Sequence, residues 1–155
     1  MGAHLHAREV TRTPVQTAAF VVGLVFLVVG ILGFIPGITT NYGSMTFAGH
    51  HSGSLLFNLF QVSVLHNIVH LVFGFAGVTM ARSYGAAANY LVWGGVIYLL
   101  LWIYGLFVAG PNTANFVPVN TADNWLHFLL GIVMIALGVG LSRRRAGIRK
   151  GTFPI

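Results

Sequence analysis

His66, Asn67 and His70 lie in VLHNIVHLVFG, and Asn124 and His127 lie in DNWLHFLLG. Each stretch contains Asn, two residues, His, three residues, Gly, in a setting with few other polar side chains. Neutral imidazole ligates Zn, Cu and Fe and can relay protons. Within a membrane, amides and imidazoles also join neighbouring helices through hydrogen bonds worth about 0.6–2 kcal/mol each. His66 and His70, four residues apart, share one helical face. Two such histidines on neighbouring helices could grip the iron of one haem b. His70 lies twelve residues before Arg82 and His127 sixteen before Arg143. That is a depth difference of about 6 Å, one helical turn, so His66 matches His127 better than His70 does. His50 and His51, in HHSGS, could complete an external Zn or Cu site with His66. The simpler reading is a solvated pair, because carboxylate and Cys ligands are lacking nearby.

The elements that carry these residues are apolar helices. The chain has 155 residues, 56% hydrophobic and 6% charged, against about 25% charged in a soluble domain. Too few charges remain to dress a water-facing surface, which predicts an integral membrane protein. The expected fold is all-α, with four transmembrane helices at about 15–35, 55–81, 88–109 and 124–141. Together they make one domain over 15–142, between a cytoplasmic N-terminal segment (1–14) and a basic tail (143–155). The first span carries no charge over 21 residues and covers about 30 Å, one hydrocarbon core. It is too long for a signal-peptide core and lacks a small-x-small cleavage site, so it is read as retained. Asp123 is the expected N-cap of the fourth helix.

Basic residues set the orientation. Arg8 and Arg12 precede span 1, Arg82 lies between spans 2 and 3, and Arg143, Arg144, Arg145, Arg149 and Lys150 follow span 4. The loops at 36–54 and 110–122 contain no Lys or Arg. Both termini are therefore expected in the cytoplasm. The net charge of +6 sits where lipid headgroups lie, which assigns Arg82, Arg143, Arg144, Arg145, Arg149 and Lys150 to headgroup contact and argues against nucleic acid. Tyr42, Tyr84, Phe116 and Trp125 fall where interfacial aromatics belong.

The paired motif extends to a larger pattern. Gly23 to Gly33 in span 1 has the spacing of Gly95 to Gly105 in span 3, and the loops that follow contain TTNY (39–42) and TANF (113–116). The expected architecture is thus a tandem repeat of two helical hairpins of like topology, related about the membrane normal. Gly23, Gly30 and Gly33, Gly74 and Gly77, and Gly131 and Gly138 form grooves for close helix approach or for lipid.

Catalytic chemistry finds little support. There is no Cys, and the two acids, Glu9 and Asp123, are not paired in a span. Ser54, Ser63 and Ser142 have no recognisable triad context, and nucleotide or hydrolase motifs are missing.

Four spans, Asn124-Trp125-Leu126-His127 opening the last, and His66-Asn67-x-x-His70 in the second resemble a bacterial, mainly actinobacterial, family of four-pass integral membrane proteins catalogued as a domain of unknown function. The resemblance covers about residues 14–145. It implies fold and location and gives weight to these His and Asn positions, without implying an activity. The leading expectation is a non-catalytic protein of the bacterial plasma membrane, without a cofactor, forming a homo-oligomer or joining a larger membrane complex. In it the Asn and His residues bond helices, and the glycine-lined grooves take lipid or partner helices. Two alternatives stay open: a haem- or Zn/Cu-binding redox protein using His66, His70 and His127, and a small channel or carrier.

Overall fold

The computed structural model describes the backbone of residues 12–150 and the side chains of residues 12–142. Four helices run up and down: α1 (Pro14–Leu32), α2 (Val64–Met80), α3 (Tyr84–Val108) and α4 (Thr121–Lys150). α1, α3 and the Thr121–Ser142 part of α4 are long and apolar enough to cross a membrane. α2, with 17 residues, is shorter. One end of the bundle, the loop end, carries the 33–63 and 109–120 connections. The other, the termini end, carries the α2–α3 turn.

Local chemistry sets the helix ends. Pro14 occupies the first turn of α1, where its missing N–H costs nothing. The Gln16 side-chain oxygen accepts from Thr13 N at 3.1 Å, and Gln16 Nε2 donates to the Ala81 and Arg82 carbonyls, both at 3.1 Å. One side chain therefore ties the start of α1 to the end of α2. On the other hairpin, Tyr84 Oη donates to the Ser142 carbonyl at 3.0 Å. Ser63 caps α2 by accepting from His66 N at 3.1 Å, and Ser83 caps α3 by accepting from Ala86 N at 3.3 Å.

The second helix departs from its expected bounds. Residues 55–63 are not helical: β1 (Thr39–Thr40), β2 (Leu55–Leu56) and β3 (Phe60–Gln61) form a small antiparallel sheet in the order β1-β2-β3. Thr39 pairs with Leu56, and Leu56 with Phe60. The β2–β3 turn puts Phe57 and Asn58 at φ of 53° and 56°, the positive values a tight hairpin turn needs at both central residues. The all-α expectation is corrected here to a mostly helical fold with a strand-bearing cap. The run from Leu55 to Val62 is as apolar as a helix end. However, Ser52 Oγ donates to the Val62 carbonyl, and Gln61 Nε2 donates to the Ser52 carbonyl at 2.8 Å, and these side-chain bonds hold it extended. The cap also accepts from the first turn of α2: Val64 N donates to Thr46 O at 3.1 Å and Leu65 N to Phe47 O at 2.9 Å. Those donors have no partner within their own helix.

The fourth helix also begins earlier than expected. It starts at Thr121, so the cap position falls to Asn120 instead of Asp123. Asp123 takes the reciprocal role: Asn120 Oδ1 accepts from Asp123 N at 3.0 Å, and Asp123 Oδ2 accepts from Asn120 N at 2.9 Å, a capping box.

The tightest packing lies within the hairpins, α1 on α2 and α3 on α4. Glycines set both distances. A methyl placed on Gly74 would sit 2.6 Å from Leu27 N and 2.7 Å from Gly23 O, and one on Gly95 would sit 2.7 Å from Gly131 O. Between the hairpins lies an aromatic layer. Phe26 stacks on Tyr98 with centroids 5.3 Å apart, Phe73 meets both edge-on, and Tyr90 lies against Phe73. Outward faces stay apolar, as at Val21, Val25, Val28, Val72, Phe75, Leu100 and Phe107. Such faces suit lipid and not water.

Replacing Gly74 with Leu drives a branched side chain into backbone atoms that cannot yield. It should destabilise the detergent-purified protein by about 3 kcal/mol, the top of the overpacking range. Gly85, which has nothing within 4 Å of an added methyl, is the control: Gly85→Ala should gain about 0.5 kcal/mol. Thermal unfolding of the two variants checks both signs.

Candidate functional site

Asn67 leaves α2 toward α1 and lies on Gly33, where an added methyl would come 2.1 Å from its Oδ1. Asn124 leaves α4 toward α3 and lies on Gly105 with the same 2.1 Å figure. Both amides are buried. They seat the loop ends of the two hairpins as wedges over glycine. The cross-helix hydrogen bonds expected of them are not made: Asn67 Oδ1 and Nδ2 and Asn124 Oδ1 have no partner.

With the amides turned into the hairpin seams, the imidazoles turn toward the space between hairpins. His66 and His70 lie 4.6 Å apart by ring centroid, and His66 and His127 lie 6.5 Å apart. His70 rests against Phe26 at 5.7 Å and His127 against Tyr98 at 5.2 Å. His66 and His127 are only 3% and 5% exposed, yet Nδ1 of each of the three histidines lacks a hydrogen-bond partner. In an enclosed site such an orphan costs about 1–3 kcal/mol.

Two cavities flank the cluster, and both are lined by His66, His70 and His127. One, of about 60 Å³, also meets Leu56, Phe60 and Asp123. The other, of about 80 Å³, also meets Tyr98, Tyr104 and Phe116. Their roofs are the two loop-end connections. The first is latched to α4: Asp123 Oδ2 also accepts from Gln61 N at 2.9 Å, and Asn120 Nδ2 donates to Leu59 O at 2.7 Å. The second is built around buried Asn115, whose Nδ2 donates to the Val119 carbonyl at 3.1 Å and whose Oδ1 accepts from Val119 N at 3.0 Å. The roofs meet where Gly49 N donates to Phe116 O at 2.6 Å.

His66, His70 and His127 thus come together: the four-residue spacing anticipates His66 beside His70, and the depth count makes His66 the better match to His127. His50 and His51 lie against each other with ring centroids 3.9 Å apart and planes tilted by 40°, and do not join them. Among the described residues no group of three His, Asp or Glu side chains is arranged to hold a metal ion. Asp123 is the member that sequence reasoning missed. Its signal was the Asn120-x-x-Asp123 box. Arg82 is exposed at the termini end, while the side chains of Arg143, Arg144, Arg145, Arg149 and Lys150 lie outside the described residues.

The family model for a Domain of unknown function (DUF4383) matches residues 16–140. The chain belongs to the DUF4383 family. No curated protein and no solved structure matches it. The DUF4383 match takes in all four helices up to Gly140, together with the whole imidazole cluster and both roofs. It thus bears out the expected membership of a family of unknown function.

The Asp123 latch predicts a local effect. Asp123→Ala removes the acceptor of Gln61 N and of Asn120 N. Amide exchange at Gln61 should then speed up by about 5- to 30-fold, the equivalent of 1–2 kcal/mol. Exchange along the Gly23–Gly74 seam should stay unchanged. Hydrogen exchange with mass spectrometry resolves the two regions.

Proposed function

We propose that the chain is a non-catalytic, four-pass protein of the bacterial plasma membrane. In this reading its two helical hairpins are joined, near the outer surface, by water held among three imidazoles. The observation that carries it is the set of orphan Nδ1 atoms of His66, His70 and His127, three residues that together line two cavities of about 60 and 80 Å³. A buried water needs about 10–15 Å³ of such space and two to four polar partners. Water joining His66 and His70 of one hairpin to His127 of the other adds to the direct bonds from Asp123 and Asn120 to the first roof.

Repetition of contacts supports a tandem repeat. Gly23 on Gly74 recurs as Gly95 on Gly131, Gly33 on Asn67 as Gly105 on Asn124, and Phe26 on His70 as Tyr98 on His127. The shift is constant (95 − 23 and 105 − 33 both give 72; 131 − 74 and 124 − 67 both give 57). Partners preserved in this way favour a repeat over chance similarity among glycine-rich helices. Under the same shift Ser63 and His66 correspond to Asn120 and Asp123, each pair a cap and its third helical residue. The halves differ in their loops. Asn41 makes a left-handed turn at φ 50°, whereas Asn115 is a buried staple.

As the fourth pass, α2 reaches about 26 Å at 1.5 Å per residue, short of a 30 Å core but within the lower limit for a span. The one-sided basic residues support cytoplasmic termini, with the roofed cavities outside. Broad apolar faces on α1 and α3 support a homo-oligomer or a place in a larger membrane complex. Cysteines introduced at Ser44 and Asn112 should label from outside, and one at Ser83 from inside. The same protein in native lipid should weigh more than one protomer. The reverse labelling pattern would sink the orientation, and a protomer mass would sink the assembly.

A metal-binding redox function is the second reading, favoured by the convergence of three imidazoles. Haem fits less well. Small-molecule sites take about 300–1,000 Å³, several times either cavity. A conduit is opposed by the layer of Phe26, Phe73, Tyr90 and Tyr98 on the far side of the histidines. Metal analysis and a visible spectrum of the purified protein, wild type and His70→Gln, separate the readings. Less than 0.1 metal per chain, no Soret band and intact assembly of the variant are expected. Stoichiometric metal or haem in wild type, lost in the variant, would replace the water reading with the redox one, because a carboxamide is a poor substitute for imidazole.

A further inference from the structure

A second cavity system lies at the opposite end of the bundle. Between α2 and α3 is an open groove of about 230 Å³ lined by Phe73, Ala76, Met80, Asn89, Trp93 and Ile97. α2 and α3 pack far less closely than the two helices within either hairpin. Gly94 also lines the groove and withholds a side chain from it. The groove faces outward: Trp93 is 64% exposed, and Asn89 is exposed as well. Two residues beyond Met80, in the turn that joins α2 to α3 at this end of the groove, is Arg82, also exposed. Arg12, the other basic side chain among the described residues, is stacked on Phe20 at 3.8 Å. Among the described residues the one acid, Asp123, is bound into the loop-end latch at the far end of the bundle.

We infer that this groove binds one anionic phospholipid of the adjacent leaflet, its acyl chain along Phe73, Ala76 and Ile97 and its phosphate at Arg82. Charge and depth both select that occupant. Arg82 supplies a cation that, among the described residues, has no acid near it. Asn89, seven residues further along the chain and some 9 Å deeper along α3 from Ser83, offers an amide at the level where ester carbonyls begin. An amide facing hydrocarbon lacks a partner, whereas a lipid ester satisfies it. Trp93, four residues beyond Asn89 and about 6 Å deeper again, lies at the level of the acyl chains. A partner helix would bring no phosphate to Arg82 and would have to fit an apolar wall interrupted by an amide. The inference deepens the membrane reading above and rests on it, but not on the repeat or on the imidazole cluster.

Trp93 makes the groove its own reporter. The full chain with Trp102→Phe and Trp125→Phe, which keep an aromatic ring at each position, leaves Trp93 as the single tryptophan, excited selectively over the tyrosines. It is reconstituted into symmetric phosphatidylcholine vesicles containing increasing brominated phosphatidylglycerol or, separately, brominated phosphatidylcholine. Symmetric vesicles make the result independent of orientation. Half-maximal quenching of Trp93 should need about fivefold less brominated phosphatidylglycerol, the preference that one arginine at a membrane surface confers. Arg82→Gln should erase that preference, and Ala76→Phe, which fills the groove, should weaken quenching by both lipids at low mole fraction. Equal quenching by the two lipids in the Arg82 protein overturns the inference alone. So does a preference that survives Arg82→Gln, because the charge would then come from elsewhere. No quenching by either lipid overturns the inference together with the membrane reading.

Discussion

Backbone meets backbone along two glycine seams, and the rest of the structure hangs on that contact. Lipid tails are as apolar as leucine, so helices in a membrane gain little by hiding apolar side chains from their surroundings. What holds them is close packing, which forfeits a large share of its attraction if the surfaces part by even 0.5–1 Å. Gly23 against Gly74 and Gly95 against Gly131 remove the side chains that would keep the backbones apart. Once each seam closes, the rotation of α2 and α4 is set. Asn67 has one place to go, over Gly33, and Asn124 one place, over Gly105. His66, His70 and His127 are then turned to the other side, between the hairpins.

Polar groups are few, and most are concentrated at the two ends. At the termini end Gln16 and Tyr84 each carry a bond from one helix of a hairpin to the other. At the loop end Asp123 serves three donors or roles at once: it closes the capping box of α4, holds Gln61 of the sheet, and borders the smaller cavity. The roof over the imidazoles is therefore part of the helix-capping system. Its strands are short and would not stand alone. Side-chain bonds from Ser52, Ser54 and Gln61 and the first-turn donors of α2 keep them in place.

Between these ends lie the aromatic layer and the histidines, and their order matters. The aromatic layer separates the imidazole cavities from the groove between α2 and α3. The bundle thus has two mainly apolar cavity regions: one under the roofs, where three imidazoles join the lining, and a more open one between α2 and α3. Phe73 and Tyr90 lie near the boundary between them, Phe73 touching both Phe26 of the layer and the groove.

The sequence by itself determined the helices, their up-and-down order and the shared face of His66 and His70. Long uncharged runs admit few other structures, and a four-residue spacing leaves His66 and His70 on one face. It did not determine where α2 begins. Leu55 to Val62 has the hydropathy of a helix, and it is pairing with Thr39–Thr40 and bonds to Ser52 and to the distant Asp123 that make it a strand pair. Nor did it determine what the asparagines do. Asn67 and Asn124 read as hydrogen-bonding residues, and it took the glycines opposite them, on a different helix, to make them wedges without partners. Asp123 likewise read as a local cap, because its bond to Gln61 joins two residues 62 positions apart. Hydropathy and periodicity report what each segment is made of. The partner across the seam, which decides the direction of a side chain and the company it keeps, exists only after the hairpins have closed.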